Sequence, residues 1–130
     1  MLKTGIKGKT EVTVTEEMTA KSVGSGGLEV FATPAMAALM EKTAYESVEN
    51  ELGEGDGTVG VTLELEHKAP TPVGMKVICE SELVGAEGRK LFFEITVRDE
   101  KEVVGTAKHT RFIINNEKFA AKAAGKADNK

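Results

Sequence analysis

Three residues in this chain have side chains that can do chemistry at spacings a fold can use. Thr33 is a hydroxyl, Glu41 a carboxylate eight positions on, and His67 an imidazole twenty-six positions beyond that. Together such groups can supply a nucleophile, a general base and a general acid. Each also has an ordinary reading. A threonine before a proline is an N-cap, a glutamate at the margin of a helix stripe reaches out to water, and an inward histidine is a hydrogen-bonded structural residue. Only their convergence on facing elements makes a functional constellation.

The elements that must position them can be read from periodicity. "VTLELEHKAP", 61–70, alternates. Val61, Leu63, Leu65 and His67 fall on one side of a strand, and Thr62, Glu64, Glu66 and Lys68 on the other. The apolar set belongs to the core, so His67 points inward. "TPAMAALMEKTAYESVENEL", 33–52, reads as one long helix with Thr33 as N-cap and Pro34 at the first helical position. Met36, Ala37, Met40, Ala44 and Val48 form its apolar side; Lys42, Glu46 and Glu49 form its wet side. Glu41 lies on the margin, in line with Thr33 and the small Ala37. A buried charge is costly unless paired. Glu41 and His67 are therefore expected to face each other across one helix–sheet interface.

The rest of the chain completes one layer on another. "KTEVTV", 9–14, is a short strand, and 58–69, 74–84, 90–99 and 102–114 alternate as four more. The connections are a few residues long, so consecutive strands pair antiparallel. The expected class is α+β, one long helix packed on a five-stranded antiparallel sheet, in a single domain over 1–130 with a frayed tail from about 118. In that tail Lys118, Lys122, Lys126 and Lys130 recur every fourth residue. The stretch "GSGG", 24–27, is not a phosphate loop, because no Lys-Ser/Thr follows; it reads as a mobile lid.

Composition excludes several classes. There are 17 basic and 21 acidic residues, a net charge of −4, which disfavours a nucleic-acid partner. No run approaches eighteen apolar residues, so no membrane span is expected, nor does the N-terminus read as a signal peptide. Cys79 is the only cysteine, which suits a reducing cytoplasm. There is no CxxC or HExxH, and His67 and His109 are 42 residues apart, so neither metal nor cofactor is expected. Cys79 reads as small core filling. His109 shares a face with Gly105, Ala107 and Arg111, a polar surface or a subunit contact. Arg89 and Lys90 lie in a turn, where they read as solvated, with the phosphates of an anionic ligand as the functional alternative.

The order strand, long helix, antiparallel strands resembles the hot-dog fold. More closely, "FATPAMAALME", "GTVGVTLELEHKAPTPVGM", "GRKLFFEITVRD" and "EKFAAKAAGK" resemble the fluoroacetyl-CoA thioesterase-like family, over about residues 10 to 125. The resemblance implies hydrolysis of short to medium acyl-CoA thioesters by Thr33, Glu41 and His67. Either Thr33 or Glu41 would be the nucleophile, and the Gly60 backbone N–H an oxyanion donor. It also implies a homodimer joined at a sheet edge, with the site near the interface. Members acting on fluoroacetyl-CoA carry a bulky aromatic in the loop before the helix. Here that position aligns with Gly27, beside Gly26, so an open, less selective acyl pocket is expected. The competing reading is a non-catalytic acyl-CoA or acyl-carrier binding protein; a hydratase on the same fold would need a hydration motif absent here.

Overall fold

A computed structural model describes residues 2–128. Five strands, β1 (Lys7–Thr13), β2 (Asp56–His67), β3 (Lys76–Glu87), β4 (Lys90–Asp99) and β5 (Val103–Asn115), form one antiparallel sheet in the order β1-β3-β4-β5-β2. The long helix α2 (Thr33–Glu49) packs on one face. A 3₁₀ turn (Glu16–Met18) and the short helix α1 (Ala20–Val23) precede it, and α3 (Asn116–Asp128) follows β5. The α+β architecture expected from periodicity is the one observed. Among the described residues no helix is long and apolar enough to cross a membrane.

Alternation explains the sheet. On β3 and β4 every second residue is buried, with Val77, Cys79, Leu83, Leu91, Phe93, Ile95 and Val97 at most 2% exposed. They meet Met36, Met40, Ala44 and Val48 of α2. Each large apolar side chain so buried contributes roughly 1.5–3 kcal/mol. Where β5 has no side chain the helix side chains fill the space: a Cβ at Gly105 would collide with Met36 Sδ. The outer face of the sheet is charged, with Glu64 and Glu94 flanking Lys108 and with Arg98 3.2 Å from Glu80.

Three expectations change. First, β2 is not regular. Its register against β5 slips between Gly60 and Thr62, so Val61 has no partner there and is 56% exposed. A β-bulge adds one residue and re-aims what flanks it; Leu63 and Leu65 stay on the core side and Val61 leaves it. Second, α2 ends at Glu49 rather than 52, closed by a tight turn through Glu51 N–H to Val48 O. Third, the expected frayed tail is helical over Asn116–Asp128, started by the Asn115 side chain accepting from Lys118 N–H. Alanine, lysine and glutamate are good helix formers. Lys118, Lys122 and Lys126 lie on it; Lys130 lies outside the described residues.

Candidate active site

The N-terminus of α2 departs from the expected capping. Ala32, in extended conformation, is the N-cap and makes no side-chain cap bond; Thr33 is the first helical residue. The Thr33 hydroxyl is therefore free of the capping duty expected of it. It bonds instead to His67 Nδ1 at 2.7 Å, across from the end of β2. The first backbone N–H groups of a helix, and the helix dipole, favour negative charge at such a point. Phe31, 1% exposed, sets its ring edge-on to His67 with centroids 6.5 Å apart. Burial pushes the His67 pKa below its ordinary 6.5, against a smaller opposing contribution from the Ala69 backbone. The ring is thus held neutral at pH 7, the state that can accept a hydroxyl proton. Its Nε2 has no hydrogen-bond partner among the described residues.

This pair opens onto a groove lined by Ser25, Phe31, Thr33, His67 and Ala69. The loop that carries its outer wall is tied at the neck: Ala20 N–H donates to Val30 O, Lys21 N–H to Leu28 O and Phe31 N–H to Thr71 O. Gly26 and Gly27 stand at the tip of that loop and do not line the groove. A Cβ at Gly27 would meet nothing within 4 Å. A Cβ at Gly26 would touch Ala20 Cβ at 3.4 Å, so open space lies at Gly27 alone, on a loop with a hydrogen-bonded neck.

Glu41 does not face His67. Eight helical residues set it about 12 Å along α2 from Thr33. It looks instead on the bulge of β2: its Oε2 lies 3.6 Å from where a Cβ on Gly60 would stand. Gly60 and His67 are themselves about 20 Å apart along the strand, so one chain cannot bring Glu41 to His67. The expected pairing of these two residues within a chain is therefore incorrect. The chain carries two candidate half-sites at opposite ends of β2, Thr33 with His67 and Glu41 with Gly60.

The second half-site contains residues that periodicity left as a polar surface or contact. Arg111 and His109 are 6% and 1% exposed. Arg111 Nε donates to Thr58 Oγ1 at 2.8 Å, its Nη2 to Thr58 O at 3.0 Å, and its Nη1 lies 3.1 Å from His109 Nε2. The Tyr45 ring faces the guanidinium at 5.7 Å, and an open groove runs over Glu41, Tyr45, Thr58 and Arg111. The signal for their burial was present in the sequence: Gly105 and Ala107, two small residues, precede them in the same alternate set. Cys79 is fully buried, and burial pushes its thiol up to about 11, which makes it inert filling as expected. Arg89 Nη1 donates to Ile113 O at 3.5 Å, and the Lys90 ammonium lies over the Phe92 ring.

The family model described as "Fluoroacetyl-CoA-specific thioesterase" matches residues 14–117. The chain belongs to that family. A fluoroacetyl-CoA thioesterase of Streptantibioticus cattleyicolor is 37% identical over 98 residues, 75% of this chain and 70% of that one. A crystal structure of a mutant of the fluoroacetyl-CoA-specific thioesterase FlK, in complex with fluoroacetate and CoA, superposes with a TM-score of 0.86 at 29% identity. It covers 91% of this chain and 99% of that one. A hot-dog-like protein from Thermanaerovibrio acidaminovorans shares the fold, with TM-score 0.89 at 22% identity over 98% and 94% of the two chains. Membership in this thioesterase family makes the chain a hot-dog protein and a thioester hydrolase.

Proposed function

We propose that the protein hydrolyses short to medium acyl-CoA thioesters as a homodimer whose active sites each draw on both subunits. The observation that carries this reading is the 2.7 Å bond between Thr33 Oγ1 and His67 Nδ1 at an uncapped helix N-terminus. The dimer follows from the position of β2, an edge strand of the sheet. Unpaired strand edges seek partners. A two-fold antiparallel pairing of β2 with its copy, centred between Leu63 and Glu64, sets Gly60 against His67 of the partner subunit. That operation joins the Thr33–His67 half-site of one chain to the Glu41–Gly60 half-site of the other.

The chemistry then runs as follows. His67 takes the Thr33 proton as Oγ1 attacks the thioester carbonyl carbon. The oxyanion is met by the backbone N–H at Gly60 across the interface and by the helix mouth. Collapse breaks the C–S bond, and His67 returns its proton to the departing CoA thiolate. Glu41 then draws a proton from a water whose oxygen attacks the acyl-threonine carbonyl carbon; collapse breaks the acyl C–Oγ1 bond, and the proton held by Glu41 passes to Oγ1 as the acid is released. A CoA substrate and the free thiol of Cys79 both suit the cytoplasm. With no side chain at Gly27 to reach over the groove, modest discrimination among acyl groups is expected.

The test is release of free thiol from a panel of acyl-CoAs, with acid-quenched single turnovers analysed by mass spectrometry. The expected result is thiol release with a transient acyl group on the peptide containing Thr33, lost in Thr33→Ala. Turnover in ¹⁸O-water that labels Glu41 instead would assign the attack to the carboxylate. Absence of thiol release with every acyl-CoA would refute the activity.

A further inference from the structure

We propose that His109 and Arg111 are positioning residues: bonded to each other, they brace the β2 bulge from both sides and fix Gly60 and Glu41 for the reaction. This rests on the function proposed above. On the near side of the bulge, Arg111 takes both the hydroxyl and the carbonyl of Thr58. On the far side, His109 Nδ1 lies 2.7 Å from Thr62 O. Between these anchors lie Val59, Gly60 and Val61, where the register slips.

Hydrogen-bond roles in the brace are forced. The Thr62 carbonyl only accepts, so Nδ1 carries the ring proton. A guanidinium only donates, so Nη1 donates to a bare Nε2. His109 is therefore neutral, and a second proton would set N–H against N–H. Of the groups facing the ring, Arg111 from β5 disfavours the cation, Phe93 of β4 lies beside it with centroids 6.0 Å apart, and the Thr62 carbonyl of β2 and Glu41 of α2 favour it. Burial is the largest influence and also favours the neutral ring.

Gly60 is where the brace meets the chemistry. A Cβ there would stand 3.4 Å from Arg111 Nη1, 3.4 Å from His109 Cε1 and 3.6 Å from Glu41 Oε2. A shift of the guanidinium is thus felt by the bulge backbone and by the carboxylate together. A strand built for stability alone would continue inward from Gly105 and Ala107 with apolar residues, since a buried guanidinium is costly to desolvate.

The test compares the full-length wild type with Thr58→Val, Arg111→Lys and Arg111→Ala. Thr58→Val keeps the shape and removes one acceptor; Arg111→Lys keeps the charge and removes the fork. Both are expected to lower kcat, by about tenfold and about a hundredfold, with KM for acetyl-CoA within about threefold. Amide exchange at residues 59–62 should quicken while β3 and β4 keep their protection. Ethylguanidinium should restore kcat of Arg111→Ala at least about tenfold, and ethylammonium should not. Wild-type kcat in Arg111→Lys, or unchanged exchange at 59–62 in both conservative variants, would overturn the proposal. If the variants do not fold, imidazole ¹⁵N shifts of the wild type decide: a proton on Nε2 or a doubly protonated ring at pH 7 overturns the brace, and a Nδ1–H tautomer supports it. A wild type without thioesterase turnover would remove the catalytic reading, while ring tautomer and exchange still report on the brace itself.

Discussion

Mixing two inactive variants should restore activity, and by an amount that the division of the site fixes in advance. Thr33→Ala disables one half-site of its chain and leaves Glu41 intact; Glu41→Gln does the converse. Each alone is expected to lose on the order of 10² in kcat, the scale of an acid–base or oxyanion group. After free exchange of subunits, about half of all dimers are mixed. Each mixed dimer has one site with both lesions and one with none. The mixture should therefore regain about a quarter of wild-type activity, and a mixed dimer isolated with two affinity tags about half. That is a gain of roughly 25-fold over either parent, given the 10² loss in each. A second pair supplies the control. Thr33 and His67 come from the same chain, 2.7 Å apart, so Thr33→Ala mixed with His67→Ala leaves no site whole and regains nothing. The assay is thiol release from acetyl-CoA before and after mixing. No regain in the first pair, or regain in the second, would refute the division of the site between subunits.

Three further outcomes follow. His67 must be neutral to accept the Thr33 proton, and burial lowers its pKa, so kcat/KM should hold at its plateau above pH 6.5 and fall only as pH drops through that lowered value; an acid limb centred above 6.5 would contradict this. His67 and His109 both titrate lower in the folded chain than when unfolded, so the unfolded state takes up protons first and stability to urea should decline as pH falls below about 6.5; a stability that rises between pH 7 and 5 would count against both burials. Fluoroacetyl-CoA, corrected for its intrinsic reactivity, should be favoured over acetyl-CoA only modestly, and Gly27→Phe, which places a ring where nothing stands within 4 Å, should raise that preference; a corrected wild-type preference of about a thousandfold, about 4 kcal/mol against the roughly 1–3 kcal/mol of a single pocket contact, would show that another residue closes the pocket.

Much of the fold was legible because burial is periodic. The alternation of β3 and β4 and the apolar stripe of α2 are local patterns, and they gave the layers and the antiparallel pairing. What local pattern cannot carry is a change of phase. The Gly60–Val61 bulge shifts β2 by one residue, so alternation counted back from Leu65 puts Val61 on the wrong side. The same limit applied at the helix start. Thr33-Pro34 has the composition of a cap, yet Ala32 takes that position, because Ala32 N–H is tied to Met18 O and Phe31 N–H to Thr71 O. The tertiary bonds of the preceding loop set where the helix begins. They leave the threonine hydroxyl for His67.

The misplacement of Glu41 has a more general cause. The rule that a buried charge needs a partner was applied within one chain, and it paired the two ionisable groups that periodicity placed inward. Glu41 is exposed in the single chain, and His67 Nε2 has no partner there. Neither group is a satisfied core residue, so neither has its electrostatic cost settled by the fold alone. Arg111 is the complementary case: it is buried with three hydrogen bonds to two residues and, among the described residues, has no carboxylate at ion-pair distance. Unsettled charge on an edge strand is an argument about assembly rather than folding. On the proposed assembly, a chain that keeps a carboxylate near one end of an unpaired edge and a hydroxyl–imidazole pair at the other gains a complete acyl-transfer set only when that edge meets its own copy. Dilution below the dimer's dissociation constant should therefore abolish turnover per chain even while β3, β4 and α2 remain folded.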